Sequence, residues 1–129
     1  MKRILPLILG CCAFFACKDE PKFQNADNAF EAGRLFIEGT MKGEFKQAKF
    51  YMLPSAKNDA FLQEKQDFYQ HQDRDFRVNY RQASIIIENE KTIDDQLHKL
   101  YFKNSFDKKE DSMSVVKQNN IWLADPTNK

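Results

Sequence analysis

The sequence predicts an α+β fold, with N-terminal helices packed on one face of a curved antiparallel sheet. Three observations carry that expectation. Apolar residues recur at helical spacing from Ala26 to Gln70, the spacing falls to two after Arg74, and the chain closes on two alternating segments joined by Asn119-Asn120. The first twenty residues, MKRILPLILGCCAFFACKDE, stand outside this pattern and are read separately.

Lys2 and Arg3 form a short positive region ahead of an apolar run from Ile4 to Phe15. A run of about 12 residues suits the core of a secretory signal and is well short of the ~20 that a spanning helix needs. The end of the run, Phe14-Phe15-Ala16-Cys17, resembles the lipobox of bacterial lipoprotein signals, in which a small residue precedes the cysteine that is lipidated. Cys17 is therefore the expected lipidation site. Cys11, after Ile8-Leu9-Gly10, is the alternative, with a shorter apolar core before it. Lys18-Asp19-Glu20 looks like the surface-export signal of some Gram-negative lipoproteins; otherwise it is a solvated tether. Export places the protein on the outer leaflet of the outer membrane, and the alternative leaves it facing the periplasm. Each buried CH₂ of an acyl chain contributes roughly 0.8 kcal/mol, so two or more chains hold durably without a transmembrane segment.

The expected organisation is a signal peptide over 1–16, the lipidated cysteine and a polar tether over 17–25, and one α+β domain over 26–129. The chain carries 20 basic and 19 acidic residues, and Lys2 and Arg3 leave with the signal. This near-neutral balance argues against a nucleic-acid partner, which needs a basic stripe to displace counterions. All three cysteines lie within the first 17 residues, so the domain is expected to use no disulfide, no thiol nucleophile and no cysteine-bound metal. Its stability must come from its core. Phenylalanine, the commonest large apolar residue, supplies that core, because each aromatic ring buries a large area.

Taken in order, a first helix is expected over Ala26–Lys42, with Asn25 as N-cap and with Gly39 and Gly43 where it stops. A second, Glu44–Met52, ends before Pro54, and a third, Ala56–Gln70, starts on Ser55 or Asn58. Phe76, Val78 and Tyr80 alternate with polar residues as a strand would. The apolar phase then slips to Ala83, Ile85 and Ile87, which predicts a break or bulge near Gln82. Glu88–Gln96 reads as a loop or turn, Leu97–Phe106 as a strand and Asp107–Asp111 as a charged turn. Ser112–Gln118 and Ile121–Asp125 form the closing hairpin, since asparagine tolerates the positive φ that a two-residue turn requires.

This order resembles the nuclear transport factor 2-like superfamily, a cystatin-like α+β fold, and in particular small bacterial lipoproteins of unknown function that have it. Two segments carry the resemblance: Phe36-Ile37-Glu38-Gly39-Thr40-Met41-Lys42-Gly43-Glu44-Phe45-Lys46-Gln47-Ala48 and Ser114-Val115-Val116-Lys117-Gln118-Asn119-Asn120-Ile121-Trp122-Leu123-Ala124-Asp125. The chain departs from the family at Lys91–Gln96, which lacks an Asp-Gly turn. The resemblance implies a cone between the sheet and the first helix, where ligands sit, with homodimerisation through the sheet as an option. Fold alone assigns no activity.

Candidate chemistry is sparse. His71, Asp73 and Asp75 offer acid–base or metal-binding groups, but the simpler reading is a solvated helix end. His98 would be a base beside Tyr80 or Tyr101 if it faced the cone, and is otherwise a hydrogen-bonded strand histidine. No phosphate-binding loop, hydrolase triad signature, dinucleotide fingerprint or metal-ligand spacing is visible, so no cofactor and no catalytic residue is expected. The leading expectation is a lipid-anchored, non-enzymatic binding or assembly module with a protein partner, its cone filled by its own aromatics. The alternatives are a carrier with an open apolar cone for a small apolar ligand, or an enzyme with His98 or an acid inside it.

Overall fold

The computed structural model describes residues 22–129, so the signal at 1–16, Cys11, Cys17 and Lys18-Asp19-Glu20 lie outside the described residues. Within that range, helices come first and a four-stranded antiparallel sheet follows, as expected of the α+β class.

Helix α1 spans Ala29–Met41, and its start is set by Asn28 rather than Asn25. The Asn28 side chain accepts the Glu31 N–H at 2.8 Å, while the Glu31 carboxylate accepts the Asp27 N–H at 2.9 Å. This reciprocal cap needs an acidic residue three positions on, which Asn28 has and Asn25 lacks. Gly43 ends the helix as expected. Its φ is +72°, and Glu44 N–H donates to the Gly39 carbonyl at 2.8 Å, closing a Schellman turn. Gly39 is a different case. It lies inside α1, where a Cβ would come within 2.7 Å of the Ala48 nitrogen, so it lets α1 and the next helix touch rather than stopping the first.

Helix α2 spans Phe45–Phe50 and α3 spans Ala56–His71. Ser55 caps α3 by accepting the Asn58 N–H at 3.0 Å. The Asn58 side chain is fully buried. Its amide donates to the Leu53 carbonyl and to Asp125 Oδ1, both at 2.9 Å, and accepts from the Thr127 hydroxyl at 2.7 Å. One side chain thus ties the start of α3 to the end of the sheet. At the end of α2, Phe23 stacks on Phe50 and Tyr51, and the Tyr51 hydroxyl donates to the Gln24 carbonyl at 2.7 Å. The stretch expected to be a free tether is therefore docked on the domain from Phe23 onward.

The segment expected as a strand at Phe76–Tyr80 is instead helix α4, Arg74–Gln82. Asp73 caps it, accepting the Phe76 N–H at 2.8 Å. Phe76 and Tyr80 are one helical turn apart, with ring centroids 5.5 Å apart, and Phe76 also meets Phe68 and Phe106. The slip in apolar phase near Gln82 is thus a change from helix to strand, and no bulge is needed there.

The strands are β1 (Ile85–Asp94), β2 (Leu97–Asn104), β3 (Asp111–Gln118) and β4 (Ile121–Asp125), in the order β1-β2-β3-β4. The expected loop over Glu88–Gln96 is mostly strand, pairing with β2 as far as Asp94 opposite Leu97. Register shifts fall at Ile87/Asn89 and Thr92/Asp94, and these kinks with the charged side chains of β1 blunt its open edge. Phe106, expected in β2, lies in the turn that follows it. Asn119 and Asn120 both have positive φ, 52° and 63°, as the two-residue hairpin requires. The far edge is covered: Leu53 N–H donates to the Ala124 carbonyl, and Ala124 N–H to the Tyr51 carbonyl, each at 2.7 Å.

The core lies where α1 crosses the sheet. Ala29, Ala32, Phe36, Ile37 and Met41 bury against Leu100, Met113, Val115 and Ala124. Full burial of a side chain such as Leu100 contributes about 1.5–3 kcal/mol.

Candidate functional site

Beyond the buried part of this core the layers part and leave a cavity of about 340 Å³. Its floor is apolar: Phe36, Ile37 and Met41 from α1, Phe61 from α3, and Phe102 and Met113 from the sheet. Tyr80 on α4 completes the wall. The volume lies within the usual range for small-molecule sites, and the mixture of an apolar lining with a few polar groups is usual too. The cavity is open. Of the four rings that line it, Phe36 and Phe61 pack with centroids 6.5 Å apart, while Phe102 and Tyr80 stand on the sheet and α4 sides.

The rim is charged in both signs, and much of that charge is already committed. Lys103 Nζ pairs with Glu88 at 2.8 Å, and Lys129 Nζ with Asp111 at 2.5 Å. Lys65 lies over the Phe61 ring, 5.3 Å from its centroid. The β2–β3 turn is folded around Asn104, whose Oδ1 accepts from the Phe106 and Asp107 N–H groups and whose Nδ2 donates to Asp107 at 3.0 Å. That turn presents Asp107, Lys109 and Glu110 at the mouth.

Tyr80 is the titratable group that sits deepest on the wall. Burial raises its phenol above the ordinary tyrosine value, and Asp107 and Asp111 push it in the same direction. It stays neutral near pH 7, so its hydroxyl can offer a hydrogen bond to a bound molecule but is no base there. The Thr40 hydroxyl, also on the wall, is spent on the Ile37 carbonyl at 2.7 Å. Such a lining can hold an apolar body and orient a polar group at its end. It presents no activated nucleophile.

The residues singled out in the sequence are scattered. His98 lies on the helix-facing side of β2 but does not line the cavity. Its Nδ1 is 2.9 Å from Glu90 Oε1, and its ring stacks on Trp122 at 4.8 Å. Tyr101 is on the opposite face of the strand, beneath Lys99. His98 therefore partners neither tyrosine. His71 closes α3 with Nδ1 2.6 Å from the Asp67 carbonyl, Asp73 caps α4, and Asp75 lies in its first turn. These three are helix-end groups, not a cluster. Among the described residues no group of His, Cys, Asp and Glu has metal-binding geometry, and no helix is long and apolar enough to cross a membrane. Sequence reasoning named Tyr80 only as a neighbour of His98 on a strand, and its place on the cavity wall comes instead from helix α4. It missed Asn58 as a buried hub because only its place near a helix start was visible. Comparison with known proteins finds no matching family model, no similar curated protein and no similar solved structure.

Proposed function

We propose that this chain is a lipid-anchored, non-enzymatic binding protein of the bacterial cell envelope that holds a small molecule with an apolar body in the cavity between α1 and the sheet. The cavity carries the reading: an open volume of about 340 Å³ with an apolar floor and a rim of both signs. The order of helices and meander is consistent with a nuclear transport factor 2-like arrangement, which supports a ligand site between α1 and the sheet. Attachment rests on the sequence of the first twenty residues, with Cys17 acylated after removal of 1–16 and Lys18-Asp19-Glu20 directing it to the cell surface. The full chain made in a Gram-negative host with labelled palmitate tests the anchor. Wild type and Cys11→Ser should both take up label and Cys17→Ser should not; label on Cys17→Ser, or none on wild type, would overturn it.

A second reading has one observation in its favour. On the outer face of the sheet Leu97, Val116 and Leu123 line up across three strands, each partly exposed. A protein partner or a second copy of the chain would cover that row. Sedimentation of the purified protein distinguishes the copy, which would double the mass, from a monomer.

A further inference from the structure

We infer that the face carrying Phe23 and Phe50 rests on the lipid headgroup layer, so that the domain is held in one orientation on the bilayer rather than swinging from a loose tether. The inference rests on the lipid anchor proposed above. Its structural basis is the place where the chain enters the domain. Phe23 stacks on Phe50 with ring centroids 5.4 Å apart, and Phe50 meets Tyr51 edge-on at 4.9 Å. The Tyr51 hydroxyl holds the Gln24 carbonyl at 2.7 Å, which fixes the entering strand of chain on α2. Yet Phe50 remains 39% exposed although it stands in a fully formed ring stack.

Cys17 precedes Phe23 by only six positions, a reach of about 20 Å when fully extended. An anchor so near the docking point turns this face toward the membrane before any other. Exposed aromatic rings are favoured at the interface, where their apolar bodies leave water. Lys22 and Lys49 are exposed beside the two rings and suit anionic phosphates. Asp27 and Glu44 are exposed acids close to the rings in sequence, and the Glu31 carboxylate accepts the Asp27 N–H in an exposed bond. The occupant is therefore a bilayer interface with some anionic lipid, and lipidation supplies the first of the two signals that stable, oriented attachment needs.

The test uses the mature acylated protein, in which no cysteine follows Cys17, so that an introduced thiol is the one available for labelling. Phe50→Cys, Lys49→Cys and Phe106→Cys are each labelled with an environment-sensitive fluorophore and reconstituted in phosphatidylethanolamine–phosphatidylglycerol vesicles bearing headgroup nitroxides. Phe106 belongs to the separate cluster with Phe76 and serves as the reference. We expect a blue shift and loss of most of the emission at 50 and 49, and neither at 106. Protein that is acylated and floats with the vesicles, but gives equal emission at all three positions, would overturn the orientation and leave the anchor standing. Protein that lacks acyl chains and does not float would remove the anchor and this inference with it. Lys49→Cys keeps the test decisive if Phe50→Cys fails to fold.

Discussion

Replacing Asn58 by alanine should destabilise the domain by about 3–4 kcal/mol, far more than an ordinary surface substitution. The side chain is fully buried and its amide makes three short bonds, to Leu53, Asp125 and Thr127. A hydrogen bond contributes about 1 kcal/mol net, but a buried partner left unsatisfied costs about 1–3 kcal/mol. Here the Leu53 carbonyl and the Asp125 carboxylate both lose their donor. Water entering from the Thr127 side offsets part of that loss, which leaves the figure above. Against a total stability of about 5–15 kcal/mol, this is a large fraction. Urea unfolding followed by circular dichroism reads the change as a lower midpoint at unchanged slope. Ser55→Ala is the internal reference, since it removes only the α3 cap and should cost about 1 kcal/mol. An Asn58→Ala loss no greater than that of Ser55→Ala would refute the reasoning, because it would mean that the buried amide does not join α3 to β4.

Three other predictions are as direct. Gly43→Ala should cost more than the ~1–2 kcal/mol of a left-handed backbone, because its φ is +72° and a Cβ would lie 2.6 Å from the Tyr69 ring; Tyr69→Ala in the same chain should recover part of the loss in thermal unfolding. At the closing hairpin, Asn120→Gly should raise the melting temperature, and Asn119→Val should lower it by the equivalent of about 1–2 kcal/mol, since both positions have positive φ. Tyr80 has a raised phenol, so its neutral form favours the fold. That contribution is full below the ordinary value of about 10 and is lost as pH rises from there through the folded value. Tyr80→Phe should accordingly flatten the fall in stability above that pH and remove one late step from the phenolate absorbance titration.

The class of fold was legible because α1, α3 and the last hairpin each carry two agreeing signals, an apolar period and a cap or turn residue. Asn119-Asn120 is the clearest, since the turn chemistry and the alternation on both sides point the same way. Helix α4 was not legible for a specific reason. Phe76 and Tyr80 are four apart, a spacing that satisfies period 2 as well as period 3.6, and Val78 between them tips the count toward a strand. The deciding residue is Asp73, whose cap precedes the segment. The polar second half of β1 was hidden because it pairs along an edge where no helix face demands apolar side chains. For the cavity, the floor residues of α1 and Phe61 were recognisable as helix stripes. Whether their rings met or stood apart depends on how far α1, α3 and the sheet diverge, a distance that no local pattern encodes.

The most direct test of the central claim is native mass spectrometry of the full-length product, gently extracted from the membranes of a Gram-negative host, beside Thr40→Phe. Thr40 lines the cavity, so the added ring would occupy part of it and narrow the space left for a ligand. Wild type should retain a small dissociable mass, and Thr40→Phe, folded by circular dichroism, should not. A wild-type protein free of any bound molecule, or the same molecule retained by Thr40→Phe, would contradict a binding role for the cavity.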